Sequence, residues 1–211
     1  MSEVRQPNRG GNPEAQRERA IATRLAIVTV ARELFAEAGY HATGTNEIAA
    51  QAKLTRGALY HHFADKDDLF AAVFRLVSAE LNARSRSAVA PLSGDLWPQV
   101  TLAFRNYLAL VAQSAEYRRI LLIDGPAVLS WSHWRDLQTE FVGQGTATAL
   151  QMAMNKGLVP RQPALPLAYM IQAALNDAAL TIAHAPPPSK VAEDAIAAFF
   201  FLLNGIRSSP V

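Results

Sequence analysis

The chain has 211 residues, half of them hydrophobic, 18% charged and 8% aromatic, with no cysteine and a formal charge of +2. This composition excludes a disordered chain, a disulfide scaffold, a zinc-thiolate site and a cysteine nucleophile, and it suits one globular unit or a small module fused to a larger one. The longest apolar run, residues 195–203, is too short to span a bilayer, and the polar start reads as no secretory signal, so a cytoplasmic protein with no membrane partner is expected.

Residues 1–12 have the composition of a mobile arm. Arg5, Arg9, Arg17 and Arg19 are interrupted by Glu3, Glu14 and Glu18, which favours a solvated arm over insertion into a minor groove. Asn12-Pro13-Glu14 should open the first helix, with Asn12 as cap, Pro13 at the first position and an acid near the positive end of the dipole. Ile27, Ala31, Leu34, Phe35 and Ala38 form its apolar stripe, and Gly39 ends it. Two short helices follow. Thr43 or Thr45 is expected to cap the first, which buries Ile48, Ala49 and Ala52. Thr55 should cap the second, which buries Leu59 and Phe63. Two such short helices joined by three or four residues fit a crossed helix-turn-helix. Asp65 then caps a longer helix with the stripe Leu69, Phe70, Val73, Phe74, Val77 and Leu81, running to Pro91.

No alternating strand pattern appears in the remainder. Asp95 should open a helix carrying Val100, Phe104, Leu108 and Val111. A short apolar turn at residues 120–123 should stop at Asp124-Gly125-Pro126. One helix is expected from Ser130 or Ser132 through Trp134, Leu137, Phe141, Thr148 and Met152 to Lys156-Gly157. After Pro160 and Pro163, an alanine-rich helix should run to His184. Residues 186–188 are prolines that break it, and Ser189 caps a last helix ending near Arg207. The fold class is therefore all-α.

The second short helix carries the distinctive surface chemistry. With Leu59 and Phe63 facing inward, Arg56 and Tyr60 share another face, with His61 beside them. Gly57 costs helix stability, which suits close approach of something flat or bulky such as a phosphate backbone, and a helix end with Thr55 and free amides suits an anion. For Arg56 alone, a solvated face is the simpler reading.

Taken together, the stretch TRLAIVTVARELFAEAGYHATGTNEIAAQAKLTRGALYHHFADKDDLFAAVF, residues 23–74, resembles the DNA-binding module of the tetracycline-repressor (TetR) family. The resemblance rests on A-x-x-L-F at 31–35, G-Y-x-x-T at 39–43, I-A at 48–49, G-A-L-Y-x-H-F at 57–63 and K-x-x-L at 66–69, in that order. It implies that Arg56 and His61 reach base edges, with Arg56 also able to serve phosphate. It further implies that Thr45, Thr55, Gly57, Tyr60 and His62 grip phosphates, and that Lys66 adds a phosphate contact from the next helix. Two positions depart from the family pattern. Lys53 stands where glycine is usual, which places a side chain in a strained left-handed turn or alters the turn. Gly44 stands where serine or threonine is common, removing a cap or phosphate contact.

The last helix, with Ile196, Phe199, Phe200, Phe201, Leu202, Leu203 and Ile206, has almost no polar face and needs cover on two sides. A homodimer through the last two helices would supply it, in agreement with the resemblance and with a palindromic site. Polar residues interrupt the apolar helices at Gln172, Asn176 and Asp177, and again at Asp124, with Tyr107, Trp131 and Trp134 as candidate neighbours. These seven are the expected lining of a small-molecule site. The plainer alternative pairs Asp177 with an arginine, bonds Asn176 across the dimer and leaves the aromatics as core. Residues 118–135 and 174–180 are similar to one subgroup of TetR regulatory domains, although Ser130 replaces a glycine expected there.

Catalysis finds no support. Ser132, His133 and Asp136 are too close on one helix to form a triad, and no phosphate-cradling glycine loop is present. Metal binding by His41, His61 and His62 explains less than DNA recognition does, and no cofactor or metal is expected.

The expected organisation is an arm at 1–12, a three-helix DNA-binding domain at 13–64, and a helical ligand-binding and dimerisation domain at 65–211. The expected function is a ligand-responsive DNA-binding transcriptional regulator, a repressor that binds a palindromic double-stranded operator as a dimer and is released by an unknown small-molecule effector. The alternative is a helical protein–protein adaptor whose helix-turn-helix no longer binds DNA. Residues 1–75 hold ten Lys/Arg against nine Asp/Glu, so DNA affinity has to come from placement of charge rather than its sum.

Overall fold

The computed structural model describes residues 12–87, 96–140, 144–185 and 189–207, and every regular element among them is helical. The expected arm at 1–11, Pro91, Asp95, Phe141 and the prolines at 186–188 lie outside the described residues.

Helix α1 spans Pro13–Ala38, with the Asn12 carboxamide accepting from the Glu14 amide at 3.1 Å and Pro13 in the first turn. Its second half buries Ile27, Val28, Ala31, Leu34 and Phe35. Ala38, expected in the stripe, is exposed, because the chain turns at Gly39 (φ 83°) and lifts the last residue off the core. The first half leaves Ile21 and Leu25 exposed. Helices α2 (Thr45–Gln51) and α3 (Arg56–His62) follow, burying Ile48, Ala49 and Leu59, with Phe63 buried immediately after α3.

Helix α4 (Lys66–Ser87) is the shared wall of the molecule. Its six expected stripe residues are all buried, each worth about 1.5–3 kcal/mol against exposure. One side faces α1 and the other faces α5 (Leu96–Gln113). The Asp65 carboxylate accepts from the Asp68 amide at 2.7 Å and caps α4 as expected.

The chain does not break at Asp124-Gly125-Pro126. A short helix α6 (Ala115–Tyr117) widens into a π-helical segment, π1 (Arg118–Asp124), and continues as α7 (Gly125–Val128). Pro126 sits in the first turn of α7, where its missing N–H costs nothing. Gly125 is required for contact: a Cβ there would lie 2.7 Å from Phe74 Cε2 and 3.1 Å from the Ile120 carbonyl oxygen.

Of the single long helix expected from Ser130, residues 141–143 lie outside the described residues. Ser130 caps α8 (Trp131–Gln138), its hydroxyl accepting from the His133 amide at 3.3 Å; the chain continues π-helical through residues 139–140, and α9 spans Gln144–Asn155. Helix α10 (Ala164–His184) crosses α5, α9, π1 and α11 (Lys190–Gly205), and so forms the centre of the C-terminal body. Ser189 caps α11, accepting from the Ala192 amide. Trp97 Nε1 donates to Asn204 Oδ1 at 3.2 Å and ties α5 to the end of α11.

Candidate nucleic-acid interface

The head is assembled around the α2–α3 turn. Lys53 adopts φ 58°, so the turn keeps the left-handed conformation and a lysine bears its strain. Neither threonine expected to cap α2 does so. Gly44 is the cap and offers no side chain, while Thr43 is buried, its hydroxyl donating to the carbonyls of Gly39 and Leu34. A buried hydroxyl needs a partner, and the last turn of α1 and the Gly39 turn after it each supply a carbonyl. Thr45 is thereby left as the first residue of α2, with its hydroxyl 3.3 Å from the Tyr60 hydroxyl of α3. Thr55 caps α3 as expected, accepting from the Ala58 amide at 3.1 Å.

Leu59 and Phe63 anchor α3, and Arg56, Gly57, Tyr60 and His61 are exposed on its outer side. The Arg56 guanidinium lies 5.4 Å from the Tyr60 ring centroid. The Thr45 hydroxyl, then Arg56, hold the Tyr60 phenol below the ordinary tyrosine range. Gly57 meets nothing of its own chain closer than Thr55 Oγ1 at 3.9 Å from a built Cβ, so internal packing does not demand glycine there. His62 is half-buried with its ring against His61, and its carbonyl accepts from Arg24 Nη1 at 3.0 Å. Arg24 also rests 4.0 Å over the Phe63 ring. It clamps the end of α3 to α1, a role visible in the sequence only as a residue one turn before Ile27 on the same stripe.

Lys66 opens α4 with its ammonium 4.0 Å above the Tyr40 ring, where burial holds it below the ordinary lysine range. Tyr40 packs against Phe35 and Phe70 and donates its hydroxyl to Asp67, and burial followed by that bond pushes its phenol up. Thr45, Thr55, Arg56, Gly57, Tyr60, His61 and His62 therefore share the α2–α3 unit, with Lys66 at the adjoining start of α4.

The seven residues expected at a ligand site do not gather in one place. Gln172 and Asn176 are buried on α10, Gln172 Nε2 donating to Asn176 Oδ1 at 2.8 Å. Tyr107 is buried on α5, which packs against α10, and burial pushes its phenol up. Trp134 is half-buried on α8, and its Nε1 is enclosed without a hydrogen-bond partner among the described residues. Trp131 is instead 68% exposed, stacked with Arg135, because it opens α8 on the outer side. Asp177 is exposed, one residue past Asn176 and so turned about 100° away on the helix. Asp124 is buried at the junction with the head, where its carboxylate accepts from the Tyr40 amide at 2.9 Å.

Comparison with known proteins agrees with this architecture. Residues 97–206 match the tetracyclin repressor-like C-terminal domain, and residues 27–73 match the bacterial regulatory proteins of the tetR family. A TetR-family transcriptional regulator from Pectobacterium atrosepticum shares 32% identity with a TM-score of 0.76, covering 92% of this chain and 99% of that one. The chain belongs to the TetR family. The Transposon Tn10 TetC protein of Escherichia coli is 27% identical over 131 residues, 62% of this chain and 65% of that protein. The HTH-type transcriptional regulator AcrR of Shigella flexneri is 37% identical over 110 residues, 51% of this chain and 49% of that protein. Alignment thus spans 65% of the length of the first of these curated relatives and 49% of the second.

Among the described residues no helix is long and apolar enough to cross a membrane, and no three His, Asp or Glu side chains cluster as metal ligands do.

Proposed function

We infer that the chain is a DNA-binding transcriptional regulator, a repressor that binds a palindromic operator as a homodimer and leaves it when a small molecule binds the body. The observation that carries this reading is the outer side of α3. Arg56, Tyr60 and His61 are exposed together on a helix whose other side is locked by Leu59, Phe63 and the Arg24 clamp. A helix presented in this way reads base edges in the major groove, with Arg56 and His61 in that role. Thr45, Thr55, Tyr60, His62 and Lys66 grip phosphates, and Gly57 lets the backbone of the duplex approach. Residues 13–64 form the DNA-binding domain and residues 65–211 the regulatory domain.

The dimer is supported by α11. Phe199, Phe200 and Leu203 are buried within the chain, whereas Phe201 and Leu202 are 79% and 59% exposed, and Met170 of α10 is exposed as well. Two-fold packing of α10 and α11 on their copies covers these side chains and sets two α3 helices against successive major grooves, roughly 34 Å apart. The effector site is the buried α5–α10 region with Tyr107, Gln172, Asn176 and Trp134, a mostly apolar setting with a few polar groups. The effector acts by binding more tightly to the body conformation in which that spacing is lost.

A mobility-shift assay with duplex from upstream of the protein's own coding sequence tests the reading. A retarded band that survives excess unrelated duplex is expected. A smear that any duplex competes away and modest salt abolishes would favour the adaptor.

A further inference from the structure

Asp124 is an unusual residue for its position. It closes π1, a segment of the body packed against α4 and α10, yet its buried carboxylate is spent on a main-chain amide of the head, 84 residues earlier in the chain. A buried carboxylate left without a donor is costly, so this bond fixes where the Gly39-Tyr40 turn sits relative to the body. The turn is shaped to receive it. Gly39 takes φ 83°, and a Cβ there would stand 3.5 Å from Asp124 Oδ2 and 2.7 Å from the Arg119 guanidinium of the same segment.

What the turn carries is the Tyr40 ring. Phe35 and Phe70 hold that ring at centroid distances of 5.8 and 5.3 Å, Asp67 holds its hydroxyl, and the Lys66 ammonium rests 4.0 Å above its face. An unbroken series of contacts therefore runs from the last residue of π1 through the Tyr40 amide and ring to the ammonium at the start of α4. We propose that Asp124 is a positioning residue for DNA binding: by holding the Tyr40 amide it fixes the ring on which Lys66 rests, and so aims the Lys66 ammonium at a phosphate of the duplex. This rests on the reading of the head as a DNA-binding domain and deepens it. The π1 segment also packs against α10, which carries Gln172 and Asn176, so this carboxylate is one route by which a rearrangement of the body reaches the phosphate grip.

The test is a thermodynamic cycle on operator binding by the full chain, measured across a salt series. Lys66→Ala removes one phosphate contact per protomer. It is expected to lower the slope of log K against log salt by about 1.8 per dimer and to weaken binding on the order of tenfold. Asp124→Ala is expected to move the slope in the same direction with a several-fold loss, and Asp124→Asn, which keeps an acceptor for the amide, to stay within about twofold of wild type. The decisive result is the double variant Asp124→Ala/Lys66→Ala, expected to bind no more than about twofold worse than Lys66→Ala alone. Additive losses, or an Asp124→Ala slope equal to wild type, overturn the proposal. If Asp124→Ala does not fold, Tyr40→Leu is read instead, since it leaves the carboxylate and the amide in place and removes only the ring. A slope matching Lys66→Ala supports the proposal and an unchanged slope overturns it. Wild type that binds no duplex would overturn the DNA-binding reading and the proposal together, whereas specific wild-type binding with additive variants would overturn the proposal alone.

Discussion

Arg32 of α1 holds Glu116 of α6 through two hydrogen bonds, Nε to Oε1 at 2.5 Å and Nη2 to Oε2 at 2.9 Å, while its Nη1 lies 2.7 Å from Glu80 Oε2 on α4. One side chain thus joins the head to two elements of the body. The fork is half-buried and its donors are matched by acceptors, which is the geometry in which charged pairs contribute measurably. Arg32→Ala is expected to lower stability by about 1–2 kcal/mol, less than a fully buried pair because water screens part of it. Urea unfolding measures this. A midpoint unchanged from wild type would mean that the head is held by apolar packing alone.

The same network predicts an acid limb. Burial opposes ionisation of Glu80, but hydrogen bonds from Arg32 and Tyr117 outweigh it and hold the carboxyl below the ordinary glutamate range. A carboxyl whose folded pKa is depressed contributes stability that is complete above its unfolded value and is lost as pH falls through the folded one. The stability difference between wild type and Glu80→Gln should therefore be largest at neutral pH and shrink steadily below pH 4.5. A difference independent of pH from 7 to 3 would contradict the assignment.

Lys53 pays for the α2–α3 turn with a left-handed backbone. A non-glycine residue there costs roughly 1–2 kcal/mol, of which glycine's greater freedom in the unfolded chain returns part. Lys53→Gly is expected to raise stability by about 0.5–1 kcal/mol. Thermal unfolding of Lys53→Gly beside Lys53→Ala checks it, since alanine should bring no comparable gain; equal effects would remove backbone strain as the cause.

Phe201 is exposed on a helix whose neighbouring phenylalanines are buried. If α10 and α11 form the dimer, Phe201→Asp places two carboxylates in the interface and should weaken association at least tenfold. Sedimentation equilibrium of both proteins decides the matter: an unchanged dimer would move the interface elsewhere.

These results also show where the sequence was readable. Asn12, Thr55, Asp65, Ser130 and Ser189 all cap as their position suggests, because a cap is a local bond between residues two or three apart. The stripe of α4 was equally plain, since periodicity alone decides it. Asp124-Gly125-Pro126 misled in two ways. It has the composition of a turn, yet it stays helical because α4 demands a glycine and the first turn of α7 accepts a proline. Asp124 looked like a polar group facing a ligand, yet its partner is an amide far away in sequence. Of the two threonines expected as the α2 cap, Thr43 turns its hydroxyl inward to the carbonyls of Leu34 and Gly39, a bond that leaves no local signal in the sequence. The outer side of α3 was legible because anchor residues and exposed residues alternate there within one short motif.

Selection of bound sequences from a pool of random duplexes tests most directly whether α3 reads DNA as one half of a two-fold pair. The expected product is an inverted repeat whose half-sites are centred about one helical turn, or a whole multiple of one, apart. Arg56→Ala should alter which bases are preferred within each half-site, while Lys66→Ala should weaken all sequences alike. A pool that emerges without any enriched repeat, bound equally by wild type and Arg56→Ala, would contradict base reading by α3.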